Sequence, residues 1–275
     1  MIEVNSITGV NTFNIDQGTD EWRKHRAGVI TASNAHLVIM DDKRPAFPDN
    51  VPIETVKRGV NRVTFGGEIS GETFEGTKAA CVDWYRDQLP SEMPDGKKGY
   101  MNELIGQVCT GLVPESVSFK QAEWGHMNEE LARDAYEARN FAIVAQAGLI
   151  YKDDSMRCAI SPDGLLMDDK RGLEIKSPFT TQVHIDTLLN GKIKPEYYVQ
   201  CQYSMWVTGW DCWDFCSYDN RMRGDASNRL HVIPVKRDED YMKLFDERVP
   251  VFIKKMDEAL AKLGFEFGDQ WKEIK

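Results

Sequence analysis

A chain of 275 residues, 41% hydrophobic and 28% charged, has the balance of a globular protein with enough length to bury a substantial core. No apolar run reaches the roughly 20 residues that span a bilayer, and Met1-Ile2-Glu3-Val4-Asn5 carries neither the basic nor the apolar region of a secretory signal, so a cytoplasmic protein without membrane contact is expected. The formal net charge of −10 weighs against a uniformly basic nucleic-acid binder, but it allows basic groups confined to one channel beside a carboxylate-lined site.

Asp20–Arg26 reads as a short helix, acidic in its first turn and basic in its last. Gly28 follows, and Thr31-Ala32-Ser33-Asn34 reads as an N-cap region opening a second helix through Val38. Residues 41–98 are rich in Gly and Pro. They hold a strand-like Arg62-Val63-Thr64-Phe65, a hairpin around Gly66-Gly67 and Gly71, and a helix near 77–88, and read as a partly ordered excursion. Helical patterning returns from Met101 through Cys109. It is strong from Gln121 to Arg139, where Trp124, Leu131, Ala135 and Ala138 recur at helical spacing. Strands are expected at 149–151, 157–160 and 172–176, with Asp168–Gly172 turning between the last two. A helix starts at Pro195 and runs to about Val207. Strands follow at Cys212–Tyr218 and Leu230–Val235, then an amphipathic helix from Glu239 to Leu263, ended by Gly264. The order is that of one α/β domain, a small mixed sheet flanked by helices.

The six cysteines form no C-x-x-C pair and the five histidines are scattered, so reduced, mostly buried thiols are expected and a zinc site is not. Oxygen chemistry is better represented. Ser161-Pro162-Asp163-Gly164 ends one expected strand, and the next carries Glu174-Ile175-Lys176. Strand alternation puts Glu174 and Lys176 on one face, and a hairpin of the two strands would set Asp163 beside Glu174. Two hard oxygen ligands and one ammonium suit Mg²⁺. The ion would activate water and neutralise a phosphate, and Lys176 would orient that water or stabilise the transition state. Alone the pattern is weak, because Asp-Gly is a common turn and Glu-x-Lys a common edge-strand pattern. Glu129 shares a helix stripe with Gly125, Ala132 and Tyr136, or else pairs with Arg133 at i+4. Gln200 lies with Glu196 and Ser204 on a polar stripe of an otherwise apolar helix.

Ordered motifs strengthen the pattern. Asp20-Glu21-Trp22, Gly28–Ser33, Trp124-Gly125-x-x-x-Glu129, Ser161–Gly164, Leu173–Lys176, Gln200–Thr208, Phe215–Asp219, Arg237–Met242, Met256–Ala261 and Gly264–Trp271 together resemble the lambda exonuclease, or YqaJ-like viral recombinase, family. The resemblance covers nearly all the chain except about 41–98. It implies a PD-(D/E)XK restriction-endonuclease-like core in a single domain, with that stretch as an atypical insertion. It further implies a 5′-to-3′ exonuclease on linear double-stranded DNA that leaves 3′ single strands for recombination by annealing. Two Mg²⁺ per site are implied, with Mn²⁺ as a substitute. Asp163, Glu174 and the Ile175 carbonyl would hold one ion, and Glu129 would serve the second. Lys176 and Gln200 would position the attacking water, while Arg26, Ser33 and Ser161 would receive the terminal 5′-phosphate. A homotrimeric ring around DNA, a single-strand annealing protein as partner and a phage or prophage setting complete the expectation. Its rivals are an endonuclease of the same superfamily and a non-catalytic DNA-end-binding protein.

Overall fold

A computed structural model describes residues 5–8, 15–66, 71–114 and 119–272. The chain falls into two compact units. One combines Met1–Ile39 with Gly99–Lys275, and the other is Met40–Lys98.

In chain order the first elements are α1 (Asn5–Thr8), α2 (Asp20–Arg26), β1 (Ile30–Thr31) and α3 (Ala35–Val38). Thr19 caps α2, its hydroxyl accepting the Trp22 N–H at 3.2 Å. Gly28 has φ +72°, and a Cβ there would meet the Val108 side chain at 2.5 Å, so only glycine fits the turn from α2 into β1. The expected helix through Val38 follows, but without the expected side-chain cap. Ala32–Asn34 is a 3₁₀ turn and α3 only one further turn, with no side-chain cap from Thr31 or Asn34.

The 40–98 unit contains β2 (Glu54–Lys57), β3 (Val60–Phe65), β4 (Glu72–Gly76) and α4 (Lys78–Gln88). The strands form an antiparallel sheet in the order β2-β3-β4. Phe74 stacks on Trp84 with centroids 5.5 Å apart, Phe65 meets Tyr85 edge-on, and Val63 and Cys81 are buried. Aromatic packing thus makes a compact unit of a stretch whose Gly and Pro content reads as partly ordered. Its two ends are bridged by reciprocal backbone bonds between Lys43 and Glu92, at 2.6 and 2.8 Å.

The chain continues with α5 (Asp95–Thr110), which starts a turn and a half before the expected Met101, and α6 (Phe119–Asn140). Then come β5 (Ile150–Tyr151), β6 (Cys158–Ile160), β7 (Gly164–Leu166) and β8 (Arg171–Lys176). After α7 (Thr181–Asn190), which sequence patterning did not reveal, follow α8 (Pro195–Thr208), β9 (Cys212–Tyr218), β10 (Leu230–Lys236) and α9 (Glu239–Leu263). Two sheets serve this unit: a three-stranded one, β1-β6-β5, and a mixed four-stranded one, β10-β9-β8-β7. β8 is parallel to β9 and antiparallel to β7. Leu173 and Ile175 of β8 pack with Ala132 and Tyr136 of α6 in one core cluster. α8, buried from Cys201 to Thr208, packs on β9, β6 and α9. Apolar burial of this kind contributes roughly 1.5–3 kcal/mol per large side chain.

One expected pairing is corrected. The strand at 158–160 does not form a hairpin with the Glu174 strand; it belongs to the other sheet. The hairpin partner is β7, a three-residue strand too short to show alternation. Gly164 therefore lies in a strand, where a Cβ would meet Val144 at 2.3 Å, and the Asp-Gly pair is a packing requirement and not a turn. All six cysteines are unpaired thiols, as expected.

Candidate active site

Pairing of Gly164 with Leu173 places Asp163, at the mouth of β7, against the middle of β8. The Asp163 Oδ2 accepts the backbone N–H of Ile175 at 2.6 Å. Glu174, 3% exposed, points to the face opposite Leu173 and forms an ion pair with Lys176. Lys176 Nζ also lies 5.1 Å from the centroid of the Tyr197 ring. β8 is an interior strand, paired on both sides, so its Glu-x-Lys is not an exposed edge pattern.

Glu129, on α6, does accept from Arg133, at 2.7 Å. The same arginine donates Nε to the Asp163 carbonyl at 3.0 Å. The pairing weighed as an ordinary surface bridge therefore ties the helix to the bend that carries Asp163. Gln200 reaches the site from α8, and Ser204 beneath it donates to the Gln200 carbonyl at 2.9 Å.

The remaining expected residues come from α2, the turn after β1 and the end of β6. The Arg26 guanidinium lies over the Trp22 ring, 4.7 Å from its centroid, and reaches the hydroxyls of Thr31 at 3.2 Å and Ser33 at 3.4 Å. The Trp22 indole N–H donates to Ser161 Oγ at 3.0 Å and to the Gly148 carbonyl at 2.9 Å. Every residue singled out from sequence lines one cavity of about 380 Å³: Arg26, Ser33, Glu129, Ser161, Asp163, Glu174, Ile175, Lys176 and Gln200. Three more residues make links across the cavity that were not anticipated. Trp22 links Arg26 to Ser161, Arg133 links Glu129 to Asp163, and Gln17 donates to the carbonyls of Ala147 and Pro162 at 3.0 and 2.9 Å. Trp22 had a sequence signal in Asp20-Glu21-Trp22 and Arg133 in its i+4 spacing from Glu129, whereas Gln17 had none.

Electrostatics divide the cavity. Burial, then the charge of Glu174, push the Asp163 carboxyl well above the usual carboxylate range. Burial also raises Glu174, with Lys176 acting against it. Burial opposes the Lys176 ammonium, but Glu174 and Asp163 more than offset it and hold it above its ordinary value. At the other end burial lowers the Arg26 guanidinium. Two buried carboxylates sharing one ammonium leave an excess of negative charge that a small divalent cation would neutralise. Among the described residues no cluster of three or more His, Cys, Asp or Glu is assembled for a metal. The hard-oxygen pair nevertheless fits Mg²⁺, which takes one or two carboxylates and completes its shell with water and phosphate oxygens.

Residues 93–211 match the family model of the YqaJ-like viral recombinase domain. The uncharacterized protein ExoD of Escherichia coli K12 is 55% identical over 80 residues, 29% of this chain and 88% of that protein. The uncharacterized protein R354 of Acanthamoeba polyphaga mimivirus is 32% identical over 116 residues, 38% of this chain and 21% of that one. Among solved structures, an alkaline exonuclease from Laribacter hongkongensis, LHK-Exo, superposes with a TM-score of 0.65 at 26% identity, covering 90% of this chain and 96% of that one. The same enzyme in complex with dAMP gives the same TM-score, covering 89% and 96%. A phage-related exonuclease from Haemophilus somnus 129PT, 14% identical with a TM-score of 0.51 over 86% of this chain and 96% of its own, shares the fold.

Proposed function

The chain belongs to the YqaJ-like viral recombinase family, with a mixed α/β core of the PD-(D/E)XK type, and on that premise we propose that it is a Mg²⁺-dependent exonuclease that digests one strand of linear double-stranded DNA from the 5′ end, releasing mononucleotides. The observation that carries the reading is the convergence of Asp163, Glu174 and Lys176 with Arg26, Ser33 and Ser161 in one cavity. A carboxylate centre for hydrolysis and a guanidinium centre for a terminal phosphate share a single chamber, which is what cleavage one nucleotide from an end requires.

Asp163, Glu174 and the Ile175 carbonyl would hold one ion, and Glu129 would serve a second; Mn²⁺ would substitute. Bound there, the metal supplies a lowered pKa for its water and charge neutralisation at the scissile phosphate. Lys176, kept protonated by its carboxylate neighbours, donates to the attacking water or to the phosphate oxygen that gains charge. Gln200 orients the water from the α8 side. Arg26 binds the terminal phosphate as a flat donor fork, with the Ser33 and Ser161 hydroxyls beside it. Trp22 keeps Arg26 and Ser161 in register.

Assembly as a homotrimeric ring around DNA would reconcile the acidic net charge with a DNA substrate, and the 3′ strand left behind would pass to a single-strand annealing protein in the cytoplasm of a bacterial host. Among the described residues no helix is long and apolar enough to cross a membrane. The deciding experiment incubates 5′-labelled and 3′-labelled linear duplexes, and closed circles, with Mg²⁺. Early loss of the 5′ label with circles spared is the expected result. Cleavage of circles would point to an endonuclease, and end binding without release of nucleotides would sink the enzymatic reading.

A further inference from the structure

A second, smaller cavity of about 100 Å³ adjoins the first and shares Lys176 and Ser177 with it. Its apolar walls include Pro178, Val183, Tyr197 and Phe215, and the last two rings are stacked with centroids 5.8 Å apart. Its polar groups sort by what they have left to offer. Thr187 Oγ1 donates to the Val183 carbonyl at 3.1 Å. Ser217 Oγ lies 2.8 Å from His184 Nδ1, while His184 Nε2 lies 2.8 Å from the Asn228 carbonyl. A neutral imidazole must then carry its proton on Nε2, so the Ser217 hydroxyl donates to Nδ1. Both hydroxyl protons are committed.

Two donors are not. Ser177 Oγ is buried without a hydrogen-bond partner. Lys194 forms no ion pair with a carboxylate among the described residues, and its Nζ sits 5.5 Å from the centroid of the Tyr197 ring. Lys194 is also the N-cap of the fourteen-residue α8, a helix that starts with no side-chain cap and with Pro at its first position. The cavity is thus lined by the residue that carries an exposed ammonium and by a serine whose hydroxyl is unpartnered, next to the first turn of α8, and each of the three favours an anion. The space suits a phosphate better than a base, since one side of Tyr197 is already covered by Phe215.

We propose that this cavity is a subsite for the phosphodiester next along the strand from the scissile bond, held by Lys194 Nζ and Ser177 Oγ. The inference rests on the exonuclease reading above and extends it: Lys176 stands in the wall between the reacting phosphate and the following one. A strand gripped beyond the cut stays engaged when the terminal nucleotide leaves.

The test uses the full chain, Mg²⁺ and a short 5′-phosphorylated duplex with an uncharged methylphosphonate at one chosen linkage, following release of the labelled terminal nucleotide. Placed one linkage beyond the scissile bond, the neutral group should cost the wild type on the order of tenfold in kcat/KM, mostly through KM. Lys194→Gln should lose the same factor on all-phosphate DNA and nothing further on the neutral linkage. Lys194→Arg should keep most of the activity. Ser177→Ala should melt no lower than wild type, because it removes an unsatisfied buried hydroxyl, yet it should raise KM. A harmless neutral linkage, or losses from Lys194→Gln and the neutral linkage that multiply, would overturn the subsite and leave the exonuclease standing. A wild type that releases nothing from all-phosphate DNA would overturn the reading beneath it, and the subsite with it.

Discussion

The carboxylate of Asp163 accepts the backbone N–H of Ile175 at 2.6 Å, so the residue that anchors one acidic group lies between the other acidic group, Glu174, and the ammonium of Lys176. The three charged groups are thereby fixed to one another through a single stretch of interior strand. Asp163 itself lies in the bend before β7, and this bond fastens it to that strand.

From this rigidity, Asp163→Ala, Glu174→Ala and Lys176→Ala are each expected to cut hydrolysis by a factor of about a hundred or more, corresponding to roughly 3 kcal/mol of barrier, while circular dichroism reports an intact fold. Near-wild-type turnover in any of them would remove that residue from the catalytic set.

The raised values of Asp163 and Glu174 fix the sign of a pH effect. A carboxyl group whose pKa is higher in the fold than in the open chain favours the fold when protonated. That contribution is complete below the unfolded value, about pH 4, and is lost as pH rises through the folded value. Without divalent ions, Asp163→Asn should therefore melt higher than wild type at neutral pH, by a few degrees, and the advantage should shrink toward acidic pH. Adding Mg²⁺ should raise the melting temperature of the wild type more than that of the variant. A variant that melts lower than wild type at pH 7 in chelator would refute the charge repulsion.

The proposed end recognition can be tested at Arg26 and Trp22. Wild type should prefer 5′-phosphate over 5′-hydroxyl ends, and Arg26→Ala should abolish the ratio. Trp22→Phe keeps a ring beneath the guanidinium but loses the N–H that Ser161 accepts, so it should reduce the preference only in part, by about threefold to tenfold. Equal rates on the two ends in wild type would dismiss the phosphate pocket.

Light scattering should give three times the chain mass of 31.4 kDa. A ring of heterologous contacts closes only at a fixed copy number, and a strictly monomeric processive enzyme would contradict it.

The 40–98 unit can be tested by excision. Lys57, Arg58 and Arg62 are basic residues of that unit that could meet backbone phosphates. Arg62 is paired with Glu75 across β3 and β4, which leaves Lys57 and Arg58 as the exposed cations of that group. Replacing residues 45–90 with a short Gly/Ser linker keeps the Lys43–Glu92 bridge. Hydrolysis of a short pre-frayed substrate should survive, and loading on blunt duplex should weaken, more so at high salt. Loss of hydrolysis in a folded deletion variant would assign the unit to the active site.

The parts of this molecule legible in its sequence are those set by local periodicity. Alternation along Gly172–Lys176 was enough to put Glu174 and Lys176 on one face, and helical spacing was enough to draw α6, α8 and α9. Leu165, by contrast, sits in a strand of three residues, where alternation carries no information, so the true hairpin partner of β8 stayed hidden. α7 was missed because it buries a hydrogen-bonded His184 while exposing Leu189, the reverse of an amphipathic pattern. Trp22, Arg133 and Gln17 act across separations of 139, 30 and 145 residues, and nothing local in the chain announces such partners. The order of the 40–98 unit comes from rings that meet only once it is folded, Phe74 on Trp84 and Phe65 on Tyr85.

The Lys43–Glu92 bridge gives that unit a further property. Reciprocal backbone bonds hold the outgoing and returning chain together, and the ion pairs Lys97–Asp42 and Lys43–Asp95 reinforce the same junction. A module whose ends are already fastened imposes almost no closure entropy on the protein that carries it. An engineer could seat a foreign domain between the same two residues.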